Sequence, residues 1–182
     1  MKRSLIALAL AALLPLSAQA DDKLSYTYVE GGYVNVDSDA DGFGVRGSFE
    51  FGQSNFYGFG SYAQVEVDNS SVDIDNTEIG LGYAHDLSDN LDLISELAYV
   101  NADADGFGDV DGYRASVGVR GSFSDSFEGL LKANYTDGSD FDGDFSGTIG
   151  AQYKFTQTWG VTGEVTFGDG GETYLVGLRA SF

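Results

Sequence analysis

The sequence predicts an all-β protein, an up-and-down antiparallel transmembrane β-barrel with ten strands, or eight if two segments are misread. Three observations lead there. From Leu24 to Phe182 the chain repeats one unit, about ten residues of apolar/polar alternation and then a turn, which gives each segment two chemically different faces. The apolar parity is aromatic near segment ends and aliphatic or small between them, as in the interfacial girdles of a membrane barrel. The polar parity is rich in Gly, Ser and Thr and holds all six basic residues that fall in segments: Arg46, Arg114, Arg120, Lys132, Lys154 and Arg179. A crowded small-barrel interior has that composition.

In order, the expected strands are 24–36, 42–52, 56–68, 76–85, 91–101, 111–122, 127–137, 145–154, 159–168 and 173–182. The clearest case sets Phe43, Val45, Phe49 and Phe51 against Arg46, Ser48 and Glu50. In the third segment the apolar parity is Tyr57, Phe59, Ala63, Val65 and Val67, which puts Gln64 and Glu66 inward. The first is ambiguous, since Tyr26, Tyr28, Glu30 and Val34 share one parity and Val29 and Tyr33 the other; Glu30 is assigned inward. A soluble β-sandwich would also alternate, with the apolar side as its core. The girdle pattern, the small-residue polar side and an apolar final strand ending on Phe182 argue against it. Such a terminal aromatic strand fits recognition by a barrel assembly machinery.

Before these segments, Met1-Lys2-Arg3 is basic, Leu5–Leu16 is apolar and Ser17-Ala18-Gln19-Ala20 is small. This reads as a secretory signal peptide, residues 1–20, cleaved after Ala20. Its apolar run of about 12 residues is too short for a helix that needs about 20 to cross a bilayer. Residues 21–182 then form a single barrel domain carrying 7 basic and 29 acidic residues, a net of −22, and no proline. That charge disfavours nucleic acid as a partner, and the absence of cysteine excludes disulfides and thiol chemistry. The expected place is the bacterial outer membrane, as a monomer in contact with lipid and lipopolysaccharide.

Charge divides the chain into regions. Glu30, Glu50, Glu66, Glu78, Asp92, Glu96, Glu128 and Glu164 share the polar parity with the six bases, so a salt-bridged lumen is expected, because an unpaired buried charge is expensive. The alternative is a narrow, charge-lined channel for small solutes or ions. Connections alternate in length, with Asp68–Asp75 and Asn101–Val110 the longer ones. Sixteen further acids, from Asp37 to Glu172 and including Asp140 and Asp169, fall in this longer set, expected outside the cell; only Asp86, Asp89 and Asp125 fall in the opposite turns. Asp37-Ser38-Asp39-Ala40-Asp41-Gly42 and Asn101-Ala102-Asp103-Ala104-Asp105-Gly106 match the opening of a calcium loop. Both lack its twelfth-position Glu, having Ser48 and Gly112 there. Asp37, Asp39, Asp41, Asn101, Asp103 and Asp105 are therefore candidates for weak Ca²⁺ binding, with no other cofactor expected. DADGFG recurs at 39–44 and 103–108, and VRGSF at 45–49 and 119–123, as though a hairpin had been copied. The sole histidine, His85, falls in a turn with no second base near it, so no enzymatic activity is expected.

The opening Met1-Lys2-Arg3-Ser4-Leu5, the signal end at Leu16–Ala20 and the stretch Leu24-Ser25-Tyr26-Thr27-Tyr28-Val29-Glu30-Gly31-Gly32-Tyr33-Val34 resemble a xanthomonad and stenotrophomonad outer-membrane family. That family was labelled a sulfation-dependent quorum factor and once proposed as an activator of plant immunity. More broadly, the chain is similar to small OmpA/OmpX-like outer-membrane barrels. The narrower resemblance implies a quorum-sensing or host-interaction role and matches Tyr26 to a tyrosine proposed to be sulfated. The broader reading is a barrel with an envelope structural or adhesion role.

Overall fold

A computed structural model describes residues 24–182 apart from 38, 53, 69–71, 107, 140, 169 and 170. The expected signal peptide, Asp140 and Asp169 lie outside the described residues. Ten strands form: β1 (Tyr28–Val36), β2 (Ala40–Glu50), β3 (Phe56–Val67), β4 (Asp73–Ser88), β5 (Leu91–Ala104), β6 (Gly108–Ser124), β7 (Phe127–Gly138), β8 (Asp144–Lys154), β9 (Trp159–Gly168) and β10 (Gly171–Ser181). Each pairs antiparallel with its chain neighbours, and β1 also pairs with β10, so the sheet closes on itself. Closure leaves no free edge, as a sheet surrounded by hydrocarbon requires. The lower mouth is the end holding Leu24 and Phe182; the upper mouth is the opposite end.

Nine strands have the expected faces, and the outward one is apolar in all of them. Phe43, Leu81, Leu97, Tyr113, Leu131, Phe145, Tyr153 and Leu178 are exposed there. β3 is the exception. Arg46 faces Ser61 and Glu50 faces Tyr57 across the β2–β3 ladder, so the odd residues of β3 point inward and the even ones outward. Tyr57 and Val65 are 3 % exposed, whereas Phe56 and Tyr62 lie in the open. Glu66 accordingly stands on the outer face, beside Asp41 and Asp73, and is no part of the lumen. Space explains the inversion. The Tyr57 ring lies over Gly82 and the Phe59 ring over Gly80, and these glycines of β4 admit aromatic rings that the lumen would otherwise exclude.

Two further spans differ from expectation. Leu24–Thr27 is not strand but enters the lower mouth, where Leu24 and Tyr26 are buried with Tyr57, Ala84 and Ile94. The long upper connections are largely ladder instead of loop: β4, β5 and β6 run 16, 14 and 17 residues, beyond the 9–11 or so that span a bilayer. β5 and β6 continue above the end of β7, Asn101–Ala104 pairing with Gly108–Asp111, and their turn is tightened by Gly106 at φ +83°; the extra length of β4, Ala84–Ser88, lies at the lower end, beyond Phe56 of β3.

A side chain at Gly82 has nowhere to go except into the Tyr57 ring. Gly82→Val is expected to lower the urea-unfolding stability in lipid vesicles by about 2 kcal/mol through overpacking, whereas Gly163→Ala, at an open outward position, leaves it unchanged.

Candidate functional site

The lumen is built by the inward residues of all ten strands, and it arranges them as three layers. The lowest is apolar: Leu24, Tyr26, Tyr57, Ala84 and Ile94, backed by Phe59 and Leu130. Tyr26 anchors it. Its ring stacks on Tyr57 with centroids 4.7 Å apart, Arg120 lies over its face at 4.9 Å, and its hydroxyl donates to Asp92 Oδ2 at 2.8 Å. Burial pushes that hydroxyl far above the usual phenol range. Its backbone N–H donates to Glu50 Oε1 at 2.7 Å, so Glu50 belongs to the lower mouth.

The middle layer is ionic. Arg179, Glu30 and Arg46 are direct neighbours in register on β10, β1 and β2. Glu30, 1 % exposed, accepts from Arg46 at 2.8 Å and from Arg179 at 2.6 Å. Arg46 continues to Glu164 at 3.0 Å. Glu128 pairs with Arg120 at 2.6 Å and with Lys154, and Arg120 also donates to the Ser25 carbonyl at 2.8 Å, which ties this layer to the entering segment. Glu96 takes Lys132 at 3.0 Å and the Tyr57 hydroxyl at 2.7 Å. All six bases of the strands therefore point inward and are paired. Between these groups lies a cavity of about 70 Å³ lined by Gln152 and Thr162 among others, with room for water; Gln152 Nε2 and Thr162 Oγ1 are buried without a protein partner.

The upper layer is split. On the β10–β1–β2–β3 side Val34, Ala40 and Val65 fill the lumen together with Val36, Ala63, Val67, Ile74 and Leu175. On the β3–β6 side a vestibule of about 280 Å³ stays open above the Arg114–Glu78 pair, which closes at 2.8 Å.

Outside the lumen, carboxylates line up on adjacent strands of the upper rim. Asp41, Glu66 and Asp73 are register neighbours on β2, β3 and β4, as are Asp75, Asp103 and Asp109 on β4, β5 and β6. The two calcium-like stretches fall on different hairpins. Asp37 accepts from the Glu172 N–H at 2.6 Å and Asp39 donates its N–H to the Val36 carbonyl. Asn101 and Asp103 lie within β5, and Asp105 donates its N–H to Asp73. Among the described residues no three His, Cys, Asp or Glu side chains are gathered into a cage. His85 stands on the outer face of β4, stacked near Tyr83 with ring centroids 6.5 Å apart. The vestibule and the apolar layers escaped sequence reading; Ile94 and Leu130 among polar-parity neighbours were the visible trace of the latter.

A family model described as "Outer membrane protein beta-barrel domain" matches residues 6–177. The putative uncharacterized protein YaiT of Escherichia coli (strain K12) is 30 % identical over 172 residues, covering 76 % of this chain, and the uncharacterized protein YaiT of Salmonella typhimurium is 30 % identical over 175 residues, covering 79 %. The chain spans only 17 % of the length of either relative. Among solved structures, a KdgM porin aligns with TM-score 0.54 at 14 % identity, covering 85 % of this chain and 99 % of that one. A NanC porin aligns with TM-score 0.53 at 12 % identity, covering 86 % and 100 %. These two share the fold.

Neutralising Glu30 leaves Arg46 and Arg179 facing each other in a closed interior. Glu30→Gln is expected to cost about 3 kcal/mol in vesicle unfolding, the scale of a broken buried pair, while Glu172→Gln on the rim changes it little.

Proposed function

The chain belongs to the outer membrane protein β-barrel family, and from that premise we propose that it works as a closed barrel, an anchor whose business is done at its upper, acidic face. The observation that carries this reading is the lower mouth: Leu24 and Tyr26 occupy it, packed against Tyr57 and Ile94, beneath a layer of closed ion pairs. The upper rim then faces the cell exterior and the lower mouth the periplasm. The role is envelope-structural or adhesive and non-catalytic, with no cysteine and a single histidine on the outer face of β4.

In planar bilayers the wild-type barrel is expected to give no stable unitary currents. The second reading is a narrow pore, supported by the porin names of the structures that share the fold. Steady currents through the wild type that change on Glu96→Gln would replace the closed barrel with that pore.

The resemblance to the quorum-factor family adds a signalling role through Tyr26. With its hydroxyl bound to Asp92, sulfation requires Leu24–Thr27 to be withdrawn or to be modified before folding. Lipopolysaccharide is the neighbour expected at the rim. Like charges set directly opposite on paired strands repel, and weak Ca²⁺ binding at the two stretches Asp37, Asp39, Asp41 and Asn101, Asp103, Asp105 would relieve that repulsion at the rim. Calcium is expected to raise the melting temperature more than sodium at equal ionic strength; an unchanged melt with no calorimetric heat removes the cation from the reading.

A further inference from the structure

The upper vestibule differs from the rest of the lumen in ways that point to a ligand. Its floor is the most exposed of the lumen ion pairs, with Arg114 and Glu78 side chains 36 % and 24 % exposed, against 8 % and 3 % for Arg120 and Glu128. Arg114 donates from Nε to Thr136 at 3.1 Å and from Nη1 to Glu78; among the described residues Nη2 has no acceptor, and it carries two further hydrogens. The space above exists because Ala63, Ala102 and Gly112 are small. Val100 and Val110 supply an apolar wall. Phe141 leans in from the β7–β8 connection, its ring edge 3.0 Å from where a Gly112 Cβ would stand, and makes an aromatic lip.

Charge narrows the ligand. Asp75, Asp103, Asp109 and Asp111 stand around this sector of the rim and repel a net anion. A simple cation meets these carboxylates first and finds an arginine at the floor. A molecule carrying both charges fits the Arg–Glu pair as one dipole fits another, and about 280 Å³ falls just below the volume of drug-sized pockets. We propose that the vestibule binds a small zwitterion of amino-acid size, its carboxylate on Arg114, its ammonium on Glu78 and its side chain between the valines and Phe141. This site is independent of whether the barrel conducts.

The test is calorimetry on the folded barrel in detergent micelles, with protein-free micelles subtracted and heat-modifiable gel migration as the fold check. The probes are L-phenylalanine, N-acetyl-L-phenylalanine, which keeps only the negative charge, and L-phenylalaninamide, which keeps only the positive one. Phenylalanine is expected to bind, and each blocked probe to bind at least about tenfold more weakly, the worth of one charge-assisted hydrogen bond. Arg114→Gln is expected to abolish the difference between phenylalanine and the amide. Ala102→Leu, which fills the space and leaves the ion pair intact, is expected to lose binding while the barrel still folds. No heat with phenylalanine, equal binding of either blocked probe, or wild-type affinity in Ala102→Leu overturns the proposal.

Discussion

A charge that points into so narrow a lumen has little bulk water to fall back on, and most of the interior follows from that constraint. A carboxylate moved out of water loses several kcal/mol of solvation, and only a close partner of opposite sign restores it. Glu30 therefore does more than bind two arginines. Arg179, Glu30 and Arg46 lie side by side on β10, β1 and β2, so the triad straddles the seam where the sheet closes. A slip of one residue at that seam turns every side chain of β1 to the other face, and it would carry Glu30 into the lipid while leaving Arg179 without its carboxylate and Arg46 with Glu164 alone. Pairing of charges thus acts as a register lock at the one ladder no hairpin turn enforces.

Much of this was legible in advance. Period-2 alternation located ten strands to within a few residues at most ends, and the parity of Arg46, Arg114, Arg120, Lys132, Lys154 and Arg179 identified the inside. What escaped reading has physical reasons. β3 carries apolar residues on both parities, Phe56 and Tyr62 on one and Tyr57, Phe59 and Val65 on the other, so hydrophobicity alone cannot orient it; the deciding fact, room above Gly80 and Gly82, belongs to the neighbouring strand. The long acidic connections looked like loops because aspartate is a poor strand former, yet tertiary pairing of β4, β5 and β6 overrides that preference. The vestibule is a matter of missing volume at Ala63, Ala102 and Gly112, which no pattern of polarity reveals.

The two ends of the barrel have opposite electrostatic characters. Inside, carboxylates and bases nearly balance. Above the girdle, register neighbours repeat the same sign, with Glu66 added to that set by the inversion of β3. The net charge of −20 therefore describes a rim far more than a protein, and the field it creates is felt mainly by whatever approaches from that side. The copied hairpin follows the same division: Arg46 and Arg120, equivalent in the two VRGSF stretches, both enter the lumen, while of the accompanying DADGFG stretches Ala40–Gly44 open β2 at its upper end and Asp103–Ala104 close β5 at its upper end.

Leu24–Thr27 lies within the ring that β1 and β10 complete and is tied to both sides of it. Ser25 Oγ donates to the Phe182 carbonyl at 2.7 Å, and the Phe182 N–H donates to the Thr27 carbonyl at 2.9 Å. Both bonds run to Phe182, the residue that follows β10, so the contacts that hold the segment in the mouth exist only with the β1–β10 ladder in this register. Corking and closure are then a single event in assembly. The step that removes the final sheet edge from the membrane is also the one that dries the lower lumen.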